Sequence, residues 1–381
     1  MRTTEAIEAA GRALAICNAC RFCDDYCVVF RASDPRRAFS SADLGYLANL
    51  CHNCRNCYYA CQYAPPHEFD INLPQSFSQI RSETYQEYAW PRPLAVLFQR
   101  NAAVSLVGVV LAVAFTLAAT IGLQAPGQHF DRHSGPGAFY AIIPWKIMAF
   151  VAGASLGLSL VLLVAGLVRF WRDMDAQAPQ ATSVRALVTA LRDVLTLRNL
   201  DGGGHGCNDL GDAFSRTRRR FHHTMFYGFG LCFASTAIAT LYDHVLEWPA
   251  PYPFLSAPVI LGAMGGLGMI IGASGLAWIK MEGDQNPTAR CAADGDYALL
   301  GVMALVAVSG LLLLAFRETG AMSVLLAIHL GVVLSFFLLL PYGKFVHGFY
   351  RAAALLRSAM EQEVASPRTK RHRADGKTRV R

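Results

Sequence analysis

The chain has 381 residues, of which 54% are hydrophobic and only 16% are charged, and its mean hydropathy is +0.31. Soluble domains carry about 25% charged residues, so this composition excludes an ordinary soluble enzyme, and the apolar content excludes an intrinsically disordered chain. The formal net charge is +7, and an excess of the same size lies in residues 344–381, which hold 10 basic and 3 acidic residues. A nucleic-acid-binding protein spreads basic residues over a folded face, so we expect no nucleic-acid partner. A basic tail after an apolar segment instead indicates contact with anionic lipid.

Cysteine is concentrated at the start of the chain, where residues 1–61 hold 8 of the 11 cysteines. They form two runs with the same spacing, C-x2-C-x2-C-x3-C. Three thiolates spaced by three residues can bind three corners of an iron–sulfur cube, and in two-cluster ferredoxins the fourth cysteine of each run ligates the other cluster. We therefore predict two [4Fe–4S] clusters with crossed ligands. The first is assigned to Cys17, Cys20, Cys23 and Cys61, and the second to Cys51, Cys54, Cys57 and Cys27.

Structural zinc is the alternative for these thiols. Zinc sites use paired C-x2-C knuckles that give four ligands to each ion, and two identical four-cysteine runs fit that pattern poorly. Val28 and Gln62 stand where a proline usually follows the fourth cysteine, a change that affects the local turn more than ligation. A short amphipathic helix is predicted over residues 1–16. Residues 32–50 are interpreted as a helix that begins at Asp34, which favours a helical ferredoxin-like arrangement over a small β-sheet.

Beyond residue 100, six apolar runs are long enough to cross a bilayer, which needs roughly 20 residues. An even number of spans places both termini on one side, and Lys and Arg favour the cytoplasmic side. Of these residues, 10 lie in the head (residues 1–100), 9 in the loop 169–221, 2 in the loop 280–296 and 10 in the tail (residues 344–381). The opposite connections hold only three. We therefore predict a multi-pass protein of the bacterial inner membrane with cytoplasmic termini. The predicted spans are 101–123, 147–168, 222–243, 257–279, 297–316 and 321–343.

The predicted fold is all-α and has three parts. A helical ferredoxin-like two-cluster domain covers residues 1–95, and a six-helix transmembrane bundle like a cytochrome b covers residues 96–350. A basic, disordered cytoplasmic tail covers residues 351–381. The cytoplasmic loop 169–221 contains an amphipathic helix and then the glycine-rich stretch 201–207, whose glycines permit positive φ. That stretch either contacts the cluster domain, a partner or a cofactor, or acts as a hinge.

Histidines at the ends of two spans predict haem ligation, because ionisable residues within membrane spans are costly and tend to be functional. His329 lies in the sixth predicted span, and His347 lies 18 residues later, five turns of ~3.6 residues along a helix. His222 and His223 begin the third span, and His244 ends it. We predict that His222 or His223 pairs with His347 around an inner haem b, and that His244 pairs with His329 around an outer one.

Each histidine pair has a simpler alternative. His347 could contact lipid headgroups, and His244 could be solvated beside Asp243. Lys344 and Arg220 are placed to pair with haem propionates, although they also satisfy the preference for positive charge on the cytoplasmic side. His205, in the glycine-rich stretch, is a further candidate for supporting a cofactor.

Four segments resemble the tricarballylate (citrate-type) utilisation protein B family, and they occur in the family's order. They are DLGYLANLCHNCRNCYYACQYAPPHEFDINLP, LRNLDGGGHGCND, RRRFHHTMFYGF and PYGKFVHGFYR. The membrane part is more distantly similar to nitrate-reductase gamma-type cytochrome b subunits. The resemblance implies a membrane electron-transfer protein with two [4Fe–4S] clusters and haem b. Such a protein reoxidises a soluble FAD-dependent dehydrogenase of tricarballylate and passes the electrons to the quinone pool.

No G-x-G-x-x-G follows a predicted strand, so we expect the flavin to belong to the partner, and this chain to have no substrate-dehydrogenating site of its own. Two other functions are alternatives to electron transfer. A component of a haem and iron–sulfur oxidase or oxygenase in cobalamin-ring biosynthesis requires a haem with an open coordination site. A transporter or membrane anchor with a cluster sensor requires no haem, and it leaves the spacing of the histidines unexplained.

Overall fold

A computed structural model describes residues 4–24, 26–100, 102–125, 130–175 and 183–378. In this part of the chain all regular structure is helical, apart from one isolated antiparallel bridge between Cys207 and Ser215. The predicted all-α class is therefore confirmed. Residues 176–182 of the predicted cytoplasmic loop and residues 379–381 of the predicted tail lie outside the described residues.

The head is built from short helices around the cysteine runs. The first helix, α1, begins after Thr4, whose hydroxyl accepts a hydrogen bond from the backbone N–H of Ile7, and it ends where Arg21 adopts a left-handed conformation with φ 59°. Leu14 and Phe77 are fully buried in the core between these helices. The helices of the head are α1 (Glu5–Cys20), α2 (Val28–Ser33), α3 (Ser41–Leu50), α4 (Asn56–Tyr59) and α5 (Leu73–Tyr88).

The prediction that a helix begins at Asp34 is wrong, because α3 begins at Ser41. Ser40 and Asp43 form a capping box, in which each side chain accepts a hydrogen bond from the other residue's backbone N–H. This reciprocal cap satisfies two N–H groups that a helix start leaves unpaired. The segment before it is a loop in which Arg36 pairs with Asp43 at 3.0 Å.

Six helices in the described residues are long and apolar enough to span a membrane, as predicted. Short helices α6 (Arg92–Arg100), α8 (Ala138–Ile142) and α10 (Val184–Leu195) precede three of them, and α10 is the amphipathic helix expected in the loop. The spans are α7 (Ala102–Leu123), α9 (Trp145–Asp175), α11 (Thr217–His244), α12 (Ala257–Glu282), α13 (Arg290–Phe316) and α14 (Met322–Leu339).

Glycines let α11 and α12 pack closely. A Cβ added at Gly272 would lie 2.6 Å from the backbone nitrogen of Met225, and one added at Gly228 would lie 2.8 Å from the carbonyl oxygen of Gly265. Real side chains do not approach that closely, so these positions require glycine. Small residues at such intervals are typical of tightly packed membrane helices.

The connections between spans gather at the two ends of the bundle as the charge pattern predicts. At one end the head contacts the later loops, as when the Tyr59 hydroxyl bonds to Asp284 at 3.1 Å. At the other end, arginines of the opposite connections donate to backbone carbonyls of other connections, Arg132 to that of Glu318 and Arg317 to that of Tyr252. The cysteine domain therefore lies at the arginine-rich end of the membrane bundle.

The structure differs from the prediction of a disordered tail from residue 351. Helix α15 (His347–Thr378) follows a 3-10 turn at Lys344–Val346, so a boundary at residue 350 cuts through a helix. Ala354 is fully buried, and Glu361 bonds to Arg36 at 2.6 Å and to the Tyr46 hydroxyl at 3.1 Å. The first turns of α15 therefore belong to the head, because their apolar face packs against it.

Candidate functional site

The first cavity in the head has a volume of about 210 Å³ and is lined by five cysteines, Cys17, Cys20, Cys23, Cys57 and Cys61. Burial and, after it, the nearby sulfurs of Cys23, Cys61 and Cys20 together raise the pKa of Cys17 to about 12. These thiols are therefore close enough to oppose one another's ionisation. A bound cationic group would have to stabilise them as thiolates.

The second cavity lies beside the first, and Cys57 lines both. It is smaller, about 20 Å³, and its other cysteines are Cys27, Cys51 and Cys54. Burial raises the pKa of Cys27, and the sulfurs of Cys54 and Cys51 add to this shift. The structure thus groups the fourth cysteine of each run with the first three of the other run.

Cysteine supplies the possible metal ligands in both cavities, and this donor set suits an iron–sulfur cube bound at its corners by thiolates. In the described residues, no three His, Cys, Asp or Glu side chains converge closely enough to hold one metal ion. The first cavity is the larger of the two.

The glycine-rich stretch packs on the head beside the second cysteine set, so the structure favours contact with the cluster domain over a hinge. The Asn56 amide donates to the carbonyls of Gly202 and Gly206, both at 3.0 Å, and the Asn208 N–H donates to the carbonyl of Cys54 at 2.9 Å. Gly206 has φ +110°, and a Cβ there would lie 2.7 Å from the carbonyl oxygen of Ser215. The loop therefore covers the second cysteine set through backbone contacts that only glycine permits.

The structure brings His222 and His347 together at the cytoplasmic end predicted for the bundle. Their ring centroids are 6.3 Å apart, with an angle of 77° between the rings. An imidazole nitrogen lies about 2.0–2.1 Å from zinc, a first-row metal ion, so two rings on opposite sides of one such ion have centroids roughly 6 Å apart. The His222 Nδ1 is buried without a hydrogen-bond partner, and the separation of the two rings would allow them to hold one metal ion between them.

His347 has a hydrogen bond that fixes its ring. Its Nδ1 lies 2.7 Å from the carbonyl oxygen of Lys344, so Nδ1–H donates and Nε2 is free to bind a metal. Burial and, after it, the charge of Arg351 lower the pKa of His347 to about 3. The ring is therefore neutral, which a metal ligand requires. Below the pair, the rings of Phe229 and Phe345 contact each other at 5.5 Å.

His223 is turned away from this pair. Its Nε2 bonds to the carbonyl oxygen of Thr196 at 3.0 Å, and its ring lies against Tyr227. Of the two histidines between which the sequence left the choice open, His222 is therefore the one that faces His347.

The outer pair does not form in this structure. The His244 ring packs edge-on against Trp145 at 4.6 Å, and its Nδ1 lies 3.5 Å from Asp243. The Nδ1 of His329 lies 2.9 Å from the hydroxyl of Ser309 on α13. Each histidine is thus engaged by a different helix, because α11 packs on α12 rather than on α14.

The supporting residues predicted from charge have other contacts. Lys344 pairs with Asp296 at 3.3 Å, and Asp296 also binds Lys280. Arg220 is exposed, and His205 is exposed beside Phe214 with ring centroids 5.8 Å apart. Lys344 is therefore part of a charged cluster next to His347, whereas the other two side chains face outward.

Three arginines that the sequence did not single out bind the loop of the second cysteine run. Arg81 donates to the carbonyl of Cys51 at 3.3 Å, Arg351 donates to the same carbonyl at 3.0 Å, and Arg218 donates to the carbonyl of Asn53 at 2.7 Å. Arg218 belongs to a run of three arginines, residues 218–220, which the preference of Lys and Arg for the cytoplasmic side of a membrane already explains. The only available signal was the spacing, since Arg218 and Arg351 each lie four residues from a paired histidine.

These features define a class, a membrane protein whose six spans carry a ferredoxin-like cysteine domain. A family profile described as the citrate utilization protein B Fer4-like domain matches residues 10–87, and one described as citrate utilization protein B matches residues 98–368. Citrate utilization protein B of Escherichia coli is 44% identical over 352 residues, which cover 92% of this chain and 91% of that protein. The chain therefore belongs to the citrate utilization protein B family, as the resemblance predicted. No solved structure matches it.

Proposed function

We propose that this chain carries electrons from a soluble FAD-dependent dehydrogenase, of the kind that oxidises tricarballylate or a related tricarboxylate, to membrane quinone. The electrons pass through two [4Fe–4S] clusters and one haem b. The family membership supports a role in citrate or tricarballylate utilisation. A two-electron flavin and a two-electron quinone are bridged by one-electron centres, which is the chemistry that clusters and haem supply.

The observation that carries this proposal is the continuity from the surface to the histidine pair. Cys20 is exposed at the mouth of the first cavity, and Cys57 lines both cavities. Arg351 bonds to the loop of the second set and lies one helical turn from His347. The sites thus form an unbroken series that begins where a soluble partner can dock and ends at the membrane.

The residues have separable roles in this conduit. Two sets of four cysteines would hold the clusters, with the crossed assignment given above. His222 and His347 would hold the haem, with the carbonyl of Lys344 orienting the His347 ring. Phe336 packs edge-on against Phe229 and Phe345, and Phe345 lies two residues before His347. The head, both large loops and the termini are assigned to the cytoplasm of a bacterium, because Lys and Arg gather at that end.

Because His222 and His347 face each other, electron transfer is favoured over an oxidase or oxygenase of cobalamin-ring biosynthesis. A haem held from both sides has no free position for oxygen, whereas the oxygen-dependent chemistry needs one. The carbon monoxide response separates the two. We expect little spectral change when carbon monoxide is added to the reduced protein, and a large change would favour the oxygen-dependent function.

The test is an air-free visible spectrum of the detergent-purified protein, oxidised and then reduced with dithionite. Iron, sulfide and haem are quantified on the same sample. We expect reduced bands of a b-type haem, about one haem per chain, and roughly eight non-haem irons, as two cubes require. Clusters without haem would overturn the conduit and favour an anchor or sensor.

A further inference from the structure

Positive charge surrounds the second cysteine set without matching negative charge. Arg81 is only 5% exposed, Arg218 and Arg351 are half-buried, and all three donate to backbone carbonyls of the loop over residues 51–54. A buried cation is costly unless an anion compensates it. The guanidinium groups are therefore expected to face an anion that the side chains alone do not supply.

Few acids face these arginines. In the part of the chain that the structure describes, no carboxylate lies within salt-bridge distance of Arg81, Arg218 or Arg351. Two acids, Asp209 and Asp296, act on Arg218, and Asp296 is already paired with Lys280 and Lys344. Asp209 also faces Arg55, whose Nη1 bonds to the carbonyl of Asp209 at 3.2 Å. The Nε of Arg351 is buried with no hydrogen-bond partner. The positive charge thus exceeds the negative charge around this loop.

The three arginines converge on one short segment. Arg81 and Arg351 both donate to the carbonyl of Cys51, and Arg218 donates to the carbonyl of Asn53, two residues later. The arginines therefore meet in one small volume beside the second set.

The first cysteine set has different surroundings. Its cavity opens to the surface near Cys20 and Phe22, which is 65% exposed. The charged groups near it are Asp24, which follows Cys23 directly in the chain, and Arg21, which is exposed and paired with Asp34 at 3.1 Å. No buried arginine binds the first set within the described residues. The two sets therefore sit in electrostatic environments of opposite sign.

We propose that Arg81, Arg218 and Arg351 raise the reduction potential of the second cluster above that of the first, so that electrons are drawn inward towards the histidine pair. This inference rests on the proposed function. Reduction adds one negative charge to a cluster, and nearby positive charge in a medium of low dielectric stabilises the reduced form. One electron leaves the first cluster, which is oxidised, and enters the second, which is reduced, and no proton is needed.

The test is a redox titration of both clusters by electron paramagnetic resonance on the full-length protein in detergent. The signal lost in Cys20→Ser is assigned to the first cluster. In the unaltered protein the second cluster should reduce at the higher potential. In Arg351→Met we expect its ratio of reduced to oxidised form, at a fixed ambient potential, to fall about tenfold, which is 59 mV for a one-electron couple.

Two variants separate charge from structure. Arg351→Lys keeps the charge and should retain most of the potential, whereas Arg37→Met removes an exposed arginine of the same domain and should change neither cluster. If Arg351→Met loses iron, the same change in reduction potential can be measured in Arg81→Met, because Arg81 also donates to the Cys51 carbonyl. Unchanged potentials in a variant that keeps both clusters, or a second cluster below the first in the unaltered protein, would overturn the inference. A protein without clusters would overturn the proposed function instead.

Discussion

His222 on the third span and His347 after the last span face each other with ring centroids 6.3 Å apart. Each lies one helical turn from an arginine that binds the loop of the second cysteine run, Arg218 for the first and Arg351 for the second. The cysteine domain and the histidine pair are therefore held together by the two helices that carry the histidines. A change in one site is expected to reach the other through these arginines.

Replacing either paired histidine should remove the haem. We expect His222→Ala and His347→Ala to lose nearly all b-type absorbance, because each would remove one of the two side chains proposed to hold the haem. His223→Ala is the matched control, since His223 bonds to the carbonyl of Thr196 instead. The measurement is the haem-to-protein ratio of purified variants. Loss of haem in His223→Ala with retention in His222→Ala would reverse the assignment.

A second prediction concerns the outer histidines. His244→Ala should retain the full haem content, because His244 contacts Trp145 and Asp243 rather than His329. The same haem-to-protein ratio checks it. A ratio near two in the unaltered protein that falls to one in His244→Ala would show that an outer haem exists after all.

Crossed ligation can be tested with the fourth cysteines. Cys61→Ser should remove the same electron paramagnetic resonance signal as Cys20→Ser, and Cys27→Ser should remove the other. Each should lower the iron content from about eight to about four. Cys232→Ser is the control, because Cys232 lies in a span and its thiol donates to the carbonyl of Gly262. If Cys27→Ser and Cys20→Ser remove the same signal, the ligation is not crossed.

Gly272→Ala should weaken the packing of α11 against α12. The added methyl group would lie 2.6 Å from the backbone nitrogen of Met225, so the helices must separate. Overpacking typically costs about 1–3 kcal/mol, which should appear as a lower unfolding temperature in detergent. Gly230→Ala on α11 meets no atom within 4 Å and should have little effect. Equal stability of the two variants would contradict the close approach.

Glu361→Ala should destabilise the head. Glu361 accepts hydrogen bonds from Arg36 at 2.6 Å and Arg357 at 3.0 Å, and breaking a buried ion pair costs about 3–5 kcal/mol. Glu361 retains 20% of its side-chain exposure, so we expect the lower end of this range. The measurement is thermal unfolding followed by far-ultraviolet circular dichroism. Glu8→Ala, at an exposed position of α1, is the control.

The fold class, the six spans and the two cysteine runs could all be predicted from the sequence. Hydropathy is additive along the chain, so a span of apolar residues is visible without any knowledge of its neighbours. The cysteine runs are likewise visible locally, because the first three cysteines of each run lie within seven consecutive residues. The amphipathic helix α10 could be predicted for the same reason.

Which side chains meet could not be predicted from the sequence, because it depends on how the helices pack. His222 and His223 are adjacent, and helix rotation alone selects the one that faces His347. His244 and His329 share the predicted membrane level, yet the packing of α11 on α12 keeps them apart. Arg81, Arg218 and Arg351 come from three helices distant in sequence, and their charge looked like ordinary membrane-flanking charge. The helical start of the tail also depended on packing, because its apolar face is stabilised by the head and not by its own propensity.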